Sequence, residues 1–169
     1  SAYLVGIDLG TSHTVVAYVA AGDDAIRLLE IPQLTGPGSI EARPLLPSFL
    51  YLPHADELAP GDLALPWAAG HDFAAGEFAR TRGAATPIRL VASAKSWLCH
   101  PGVDRRAAIL PAEAPPEVAR ISPLTASIRY LSHLREAWNH AHPDAPFERQ
   151  SVTVTMPASS KWMLKNTRR

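Results

Sequence analysis

An α/β fold with mixed strand directions is what this sequence predicts, and three observations carry the prediction. Three β-prone segments joined by short connections open the chain. A long irregular stretch follows, crowded with Pro, Ala and Gly. One extended amphipathic helix then leads into a final β-branched segment, so a β-meander, an insert, a helix and a strand succeed one another.

Residues 3–9 form a nearly continuous apolar run, and Asp8, Gly10, Thr11 and Ser12 around its end predict a buried strand entering a tight turn. Residues 14–19 are β-branched and apolar, the next strand. Turn chemistry at Gly22, Asp23 and Asp24 separates it from a third, 26–31. Residues 32–38 read as a linker by composition, and 45–52 as a strand that Pro47 confines to an edge. Within the insert, 73–82 suggests a helix. Leu90, Val91, Ala94, Trp97 and Leu98 give 89–100 helical spacing, and 107–110 reads as a short strand. The clearest helix starts at Ser122, its cap, with Pro123 at the first helical position. Leu124, Ile128, Leu131, Leu134 and Trp138 follow at intervals of three and four, and residues 140–146 end it. Val152 and Val154 alternating with threonines make 151–156 the last strand.

Composition narrows the function. Sixteen Lys and Arg balance sixteen Asp and Glu. Without a basic excess, nucleic acid and anionic membrane are excluded as main partners. Cys99 is the one cysteine, so neither a disulfide framework nor a multi-cysteine zinc site is available. No apolar run approaches the roughly 18 residues of a membrane span, and no basic signal start is visible, which makes the cytoplasm the expected compartment. Sixteen prolines in 169 residues are close to twice the usual share, so structure between 32 and 123 must be short and interrupted.

The first turn is where chemistry would concentrate. A carboxylate at the end of a buried strand, followed by Gly10, Thr11 and Ser12, sets a metal-seeking group beside backbone N–H donors and two hydroxyls. Phosphate and magnesium call for such groups. An ordinary hairpin turn, with Gly10 at positive φ, explains the same residues. There is no Walker A pattern, and Gly36-Pro37-Gly38 continues into Glu41 where a dinucleotide fingerprint needs glycine. Cys99 beside His100 has no identifiable orienting partner and reads as incidental. His133, His140 and His142 read as helix-end residues before they read as a metal site, and Trp97, Tyr130 and Trp138 as core.

Residues 5–16, Val5-Gly6-Ile7-Asp8-Leu9-Gly10-Thr11-Ser12-His13-Thr14-Val15-Val16, closely resemble the first phosphate motif of the seventy-kilodalton heat-shock (DnaK-like) chaperones, members of the actin and sugar-kinase ATPase superfamily. Further segments resemble the family in order: Arg43-Pro44-Leu45-Leu46-Pro47-Ser48-Phe49-Leu50, then Ala75-Gly76-Glu77-Phe78-Ala79-Arg80. Next come Val91-Ala92-Ser93-Ala94-Lys95 and Val152-Thr153-Val154-Thr155-Met156-Pro157-Ala158. The resemblance spans roughly residues 3–159. It implies a ribonuclease-H-like actin-type ATPase lobe, a mixed sheet with flanking helices and an inserted smaller subdomain. Residues 1–36 and 116–159 would form the core and 37–115 the outer subdomain. ATP and Mg are the implied cofactors. Asp8 would hold hydrated magnesium, Gly10, Thr11, Ser12 and His13 would line the phosphates, and Lys95 would serve catalysis with Asp8.

The chain departs from the family in three places. His13 replaces a tyrosine or asparagine, no basic residue follows Lys95, and 160–169 diverge. The second phosphate motif, the adenosine motif and the client-binding domain are not in this sequence. The expectation is therefore the N-terminal lobe of a stress-response chaperone ATPase, incomplete by itself, with unfolded clients and cochaperones as partners of an intact protein. A non-catalytic actin-fold scaffold and a metabolite kinase of the superfamily are the alternatives.

Overall fold

The computed structural model describes residues 1–155. In chain order the elements are β1 (Tyr3–Leu9), β2 (His13–Ala20), β3 (Arg27–Leu28), β4 (Ile31–Gly36), β5 (Ser39–Arg43), β6 (Leu46–Pro47), β7 (Leu50–Tyr51), β8 (Ala74–Ala75), α1 (Glu77–Ala85), β9 (Leu90–Val91), α2 (Ala94–Leu98), α3 (Pro123–Ala141) and β10 (Ser151–Thr155). They make a mixed α/β protein with several sheets.

The central sheet runs β10-β1-β2-β3, with β6 also paired to β2. β10 is parallel to β1, Val5 opposite Val152 and Asp8 opposite Thr155. β2 and β3 are antiparallel to their neighbours. The expected strands 3–9, 14–19, 26–31 and 151–156 thus contribute to one sheet, although only Arg27 and Leu28 of the third belong to it and Met156 lies outside the described residues.

α3 covers one face of this sheet. Ser122 caps it as the sequence predicts, accepting a hydrogen bond from the Thr125 N–H. Its C-terminal half sends Leu134, Ala137 and Trp138 against Val5, Ile7, Val16, Ile31 and Leu46. Its N-terminal half sends Ala126 and Tyr130 against Leu9, Leu50, Ala75, Val91, Ala94 and Leu110. On the sheet's opposite face Leu4 and Leu28 stay exposed.

Several expectations need correction. Residues 32–38 are no linker: β4 runs through most of them and pairs with β5 as an antiparallel hairpin. Pro32 is tolerated because a two-stranded ribbon leaves one edge of each strand free. The strand expected over 45–52 is broken, β6 joining the central sheet while β7 pairs with β8 and β9. Residues 73–82 and 89–100 each begin as strand, β8 and β9, before turning into α1 and the one-turn α2. Both pairs of residues gain more from closing a small buried sheet on β7 than from extending a helix. Residues 107–110 contribute only the Leu110–Ile121 bridge.

A buried amide joins hairpin and insert. Gln33 is fully buried, its Nε2 donating to the Leu45 carbonyl at 2.9 Å, while its Oε1 accepts from the Glu77 N–H at 3.0 Å and so caps α1.

Candidate functional site

The β1–β2 turn is built by close approach. A Cβ on Gly10 would lie 2.1 Å from the His13 carbonyl oxygen, so glycine is required there for space and not for the positive φ expected of it. Ser48, just after β6, fastens the turn. Its Oγ donates to the Gly10 carbonyl at 2.8 Å and lies 3.1 Å from the Thr14 hydroxyl, and its N–H donates to the Ser12 carbonyl at 2.9 Å. The Tyr130 hydroxyl of α3 donates to the Ser48 carbonyl at 3.2 Å, and burial pushes that phenol up from its ordinary value. The turn is therefore held from the sheet and from the helix at once.

On this frame Asp8, Thr11 and Ser12 are exposed. The Thr155 hydroxyl donates to Asp8 Oδ1 at 3.0 Å, and no hydrogen bond among the described residues occupies Oδ2. The Thr11 and Ser12 hydroxyls are likewise uncommitted among the described residues. His13 is exposed as well but lies within electrostatic reach of Glu77, whose carboxyl is held below its usual range first by its hydrogen bond from Arg80.

Lys95 enters from α2. Ser93, the residue ahead of that helix, has φ 56 and ψ 24, a left-handed conformation that a non-glycine residue adopts at some cost. It turns the chain so that Ala94 and Lys95 face inward, and Lys95 is only 6% exposed. Burial lowers the Lys95 ammonium from its ordinary value, and the Asp8 carboxylate and then Cys99 act against that shift. No ion pair or side-chain hydrogen bond engages the ammonium among the described residues.

The structure thus gathers Asp8, Gly10, Thr11, Ser12 and Lys95 at one end of the central sheet and leaves His13 exposed beside them. It also adds Ser48 and Thr155. Ser48 and Thr155 each stood in the sequence only within a resembling segment, and the bond from Thr155 to Asp8 follows from pairing β10 with β1 in register. The three histidines do not converge: His133 bonds the Pro32 carbonyl, His140 lies beside Trp67, and His142 stacks on Trp138. No group of three or more His, Cys, Asp or Glu among the described residues is arranged to hold a metal. Magnesium needs less than that, since one or two carboxylates with several retained waters suffice, and the free oxygen of exposed Asp8 fits this requirement.

A cavity of about 710 Å³ lies in the insert between Pro53 and Asp72, and none of the site residues lines it. No described helix is long and apolar enough to cross a membrane. No protein-family profile and no curated protein matches the chain.

Proposed function

We propose that the β1–β2 turn binds the phosphates of Mg-ATP, as in the N-terminal lobe of a DnaK-like chaperone ATPase with the ribonuclease-H-like actin fold. The observation that carries this reading is Lys95, largely covered at 6% exposure, with no ion pair or side-chain hydrogen bond among the described residues and within electrostatic reach of the Asp8 carboxylate beside a glycine turn. Drawing a charge partly out of water without pairing it is unfavourable, and a ligand of opposite charge would offset that. A γ-phosphate would be such a ligand.

Asp8 Oδ2 would hold the metal, which when bound neutralises phosphate charge. Gly10, Thr11 and Ser12 would offer donors to the phosphate oxygens. The Lys95 ammonium would stabilise negative charge as it develops on the γ-phosphate and orient the attacking water, electrostatic work that dominates phosphoryl transfer. Hydrolysis would then drive conformational change in a chaperone that serves unfolded clients with cochaperones.

All these donors sit on one solvent-exposed wall, where a charge pair at about 4 Å contributes only about 1 kcal/mol. Binding by this chain is therefore expected at a dissociation constant of roughly 0.1 mM or weaker. Titration of the chain with Mg-ATP, followed by amide chemical shifts, is the test. Saturable shifts centred on residues 8–13 and Lys95, lost in Asp8→Lys, are expected. Absence of any shift at millimolar Mg-ATP would favour the non-catalytic scaffold.

A further inference from the structure

A second cavity, about 220 Å³, opens on the seam between α3 and the insert, apart from the β1–β2 turn. Arg129, Ser132, His133 and Glu136 line it from the helix, and His71 and Phe73 from the insert. The four helix positions are spaced i, i+3, i+4 and i+7, so they fall on one face of α3. A face packed for stability alone would carry apolar residues there, whereas this one carries hydrogen-bonding groups with unused capacity.

The Arg129 guanidinium, half-buried, lies over the Phe73 ring at 4.2 Å, and no ion pair or hydrogen bond engages it among the described residues. The Ser132 hydroxyl is equally uncommitted among the described residues. His133 is 5% exposed, and with Nε2 donating to the Pro32 carbonyl its neutral ring keeps Nδ1 as an acceptor that no described donor meets. Among the described residues the partnerless side-chain nitrogen sealed from solvent is His142 Nδ1, so His133 Nδ1 is not sealed, and the open space its side chain borders is this cavity. Glu136 meets both the Trp67 indole N–H, at 2.8 Å, and His71, at 3.7 Å, through Oε2, which leaves Oε1 without a hydrogen bond among the described residues. Arg135 at the edge is engaged by Glu148 at 3.8 Å. Donors at Arg129 and Ser132 therefore adjoin acceptors at His133 and Glu136, with an aromatic wall at Phe73. Ser132 and Glu136 are one turn apart, about 5–6 Å between Cβ atoms, a spacing that a carboxylate and an ammonium on one carbon can bridge.

We propose that this cavity binds a free α-amino acid with an apolar side chain. Arg129 and Ser132 donate to its carboxylate, Glu136 Oε1 and His133 Nδ1 accept from its ammonium, and Phe73 receives its side chain. The size agrees, since about 220 Å³ falls below the roughly 300–1,000 Å³ of sites that hold drug-sized ligands. An anion alone would leave both acceptors unmet and face the Glu136 charge, and a cation alone would leave Arg129 unmet.

The test compares L-leucine with isocaproate, which lacks the ammonium, and isoamylamine, which lacks the carboxylate, each titrated into the chain and followed by amide chemical shifts. Saturable shifts at residues 71–73 and 129–136 are expected with leucine, and each of the other two should bind about tenfold more weakly or worse. Arg129→Gln should weaken leucine about tenfold and leave isoamylamine unchanged, while Glu136→Gln should weaken leucine and not isocaproate. Because the three-ligand comparison is made on wild type, it decides the matter even where a variant unfolds. Either half-molecule binding as tightly as leucine overturns the proposal. So does the absence of saturable shifts at these residues with leucine at about 10 mM, enough to nearly fill a millimolar site. Mg-ATP is absent throughout, so the outcome is independent of the nucleotide reading.

Discussion

A lysine drawn partly out of water, with no ion pair among the described residues, costs stability, so its presence at residue 95 argues for work done outside folding. That gives Lys95 a double signature. Replacing it with methionine removes the unfavourable charge while keeping the aliphatic stem, and unfolding should shift toward greater stability by up to about 1 kcal/mol. In a protein that turns over ATP, Lys95→Ala should leave affinity within about tenfold and slow single-turnover hydrolysis by about two orders of magnitude or more, because the ammonium acts chiefly on charge present in the transition state. A purely structural lysine would show the opposite pattern, lost stability with unchanged turnover. Gly10 makes the complementary case. Any side chain there meets the His13 carbonyl, so Gly10→Ala must open the turn and pull against the hydrogen bonds that Ser48 makes to it. The expected cost is about 2 kcal/mol or more by urea denaturation, with loss of Mg-ATP shifts.

At the scale of elements α3 dominates, because among the described helices it alone is long enough to pack against both the central sheet and the insert. Trp138 is fully buried among Tyr3, Tyr18 and His142, with its indole N–H donating to the Ala145 carbonyl at 2.8 Å. Trp138→Ala should therefore destabilise by about 3 kcal/mol or more, while Ser122→Ala, which removes only the cap, should cost about 1 kcal/mol. Chemical denaturation of the two variants checks the ratio. The same contrast explains what was legible in the sequence. α3, β1, β2 and β10 carry their own periodicity or β-branched composition, so local pattern sufficed. β6, β7, β8 and β9 are two residues each, too short for any period, and exist because they pair across long sequence separations. At the site, Asp8 and Gly10–Ser12 form a contiguous word and were readable. Lys95 came from resemblance alone. The fastening by Ser48, the Thr155 bond to Asp8 and the spatial link from Lys95 to Asp8 depend on tertiary contacts that no local pattern encodes.

On the scale of the whole molecule, His133 is the bolt between layers. It projects from α3, is 5% exposed, and its Nε2 meets the Pro32 carbonyl of β4 at 2.8 Å while its ring packs edge-on against Trp67 of the insert. A carbonyl can only accept, so Nε2 carries a proton, and burial favours the neutral form of the ring. Burial depresses the folded-state value below the ordinary one, outweighing the Pro32 bond and Glu136, which raise it, while His71 adds to the depression. In the unfolded chain the ring titrates near its ordinary value of about 6.5, so below that pH the unfolded state binds more protons than the folded state. Stability from this group is thus present above the unfolded value and declines as pH falls toward the depressed folded value. His133→Gln removes the titration and can still donate an amide hydrogen to Pro32, so it should flatten the dependence. Urea denaturation between about pH 7.5 and about pH 5 should show wild type losing more stability than His133→Gln over the same interval. Parallel curves would mean that the histidine charges without penalty and that the helix, hairpin and insert are not bolted together through a neutral ring.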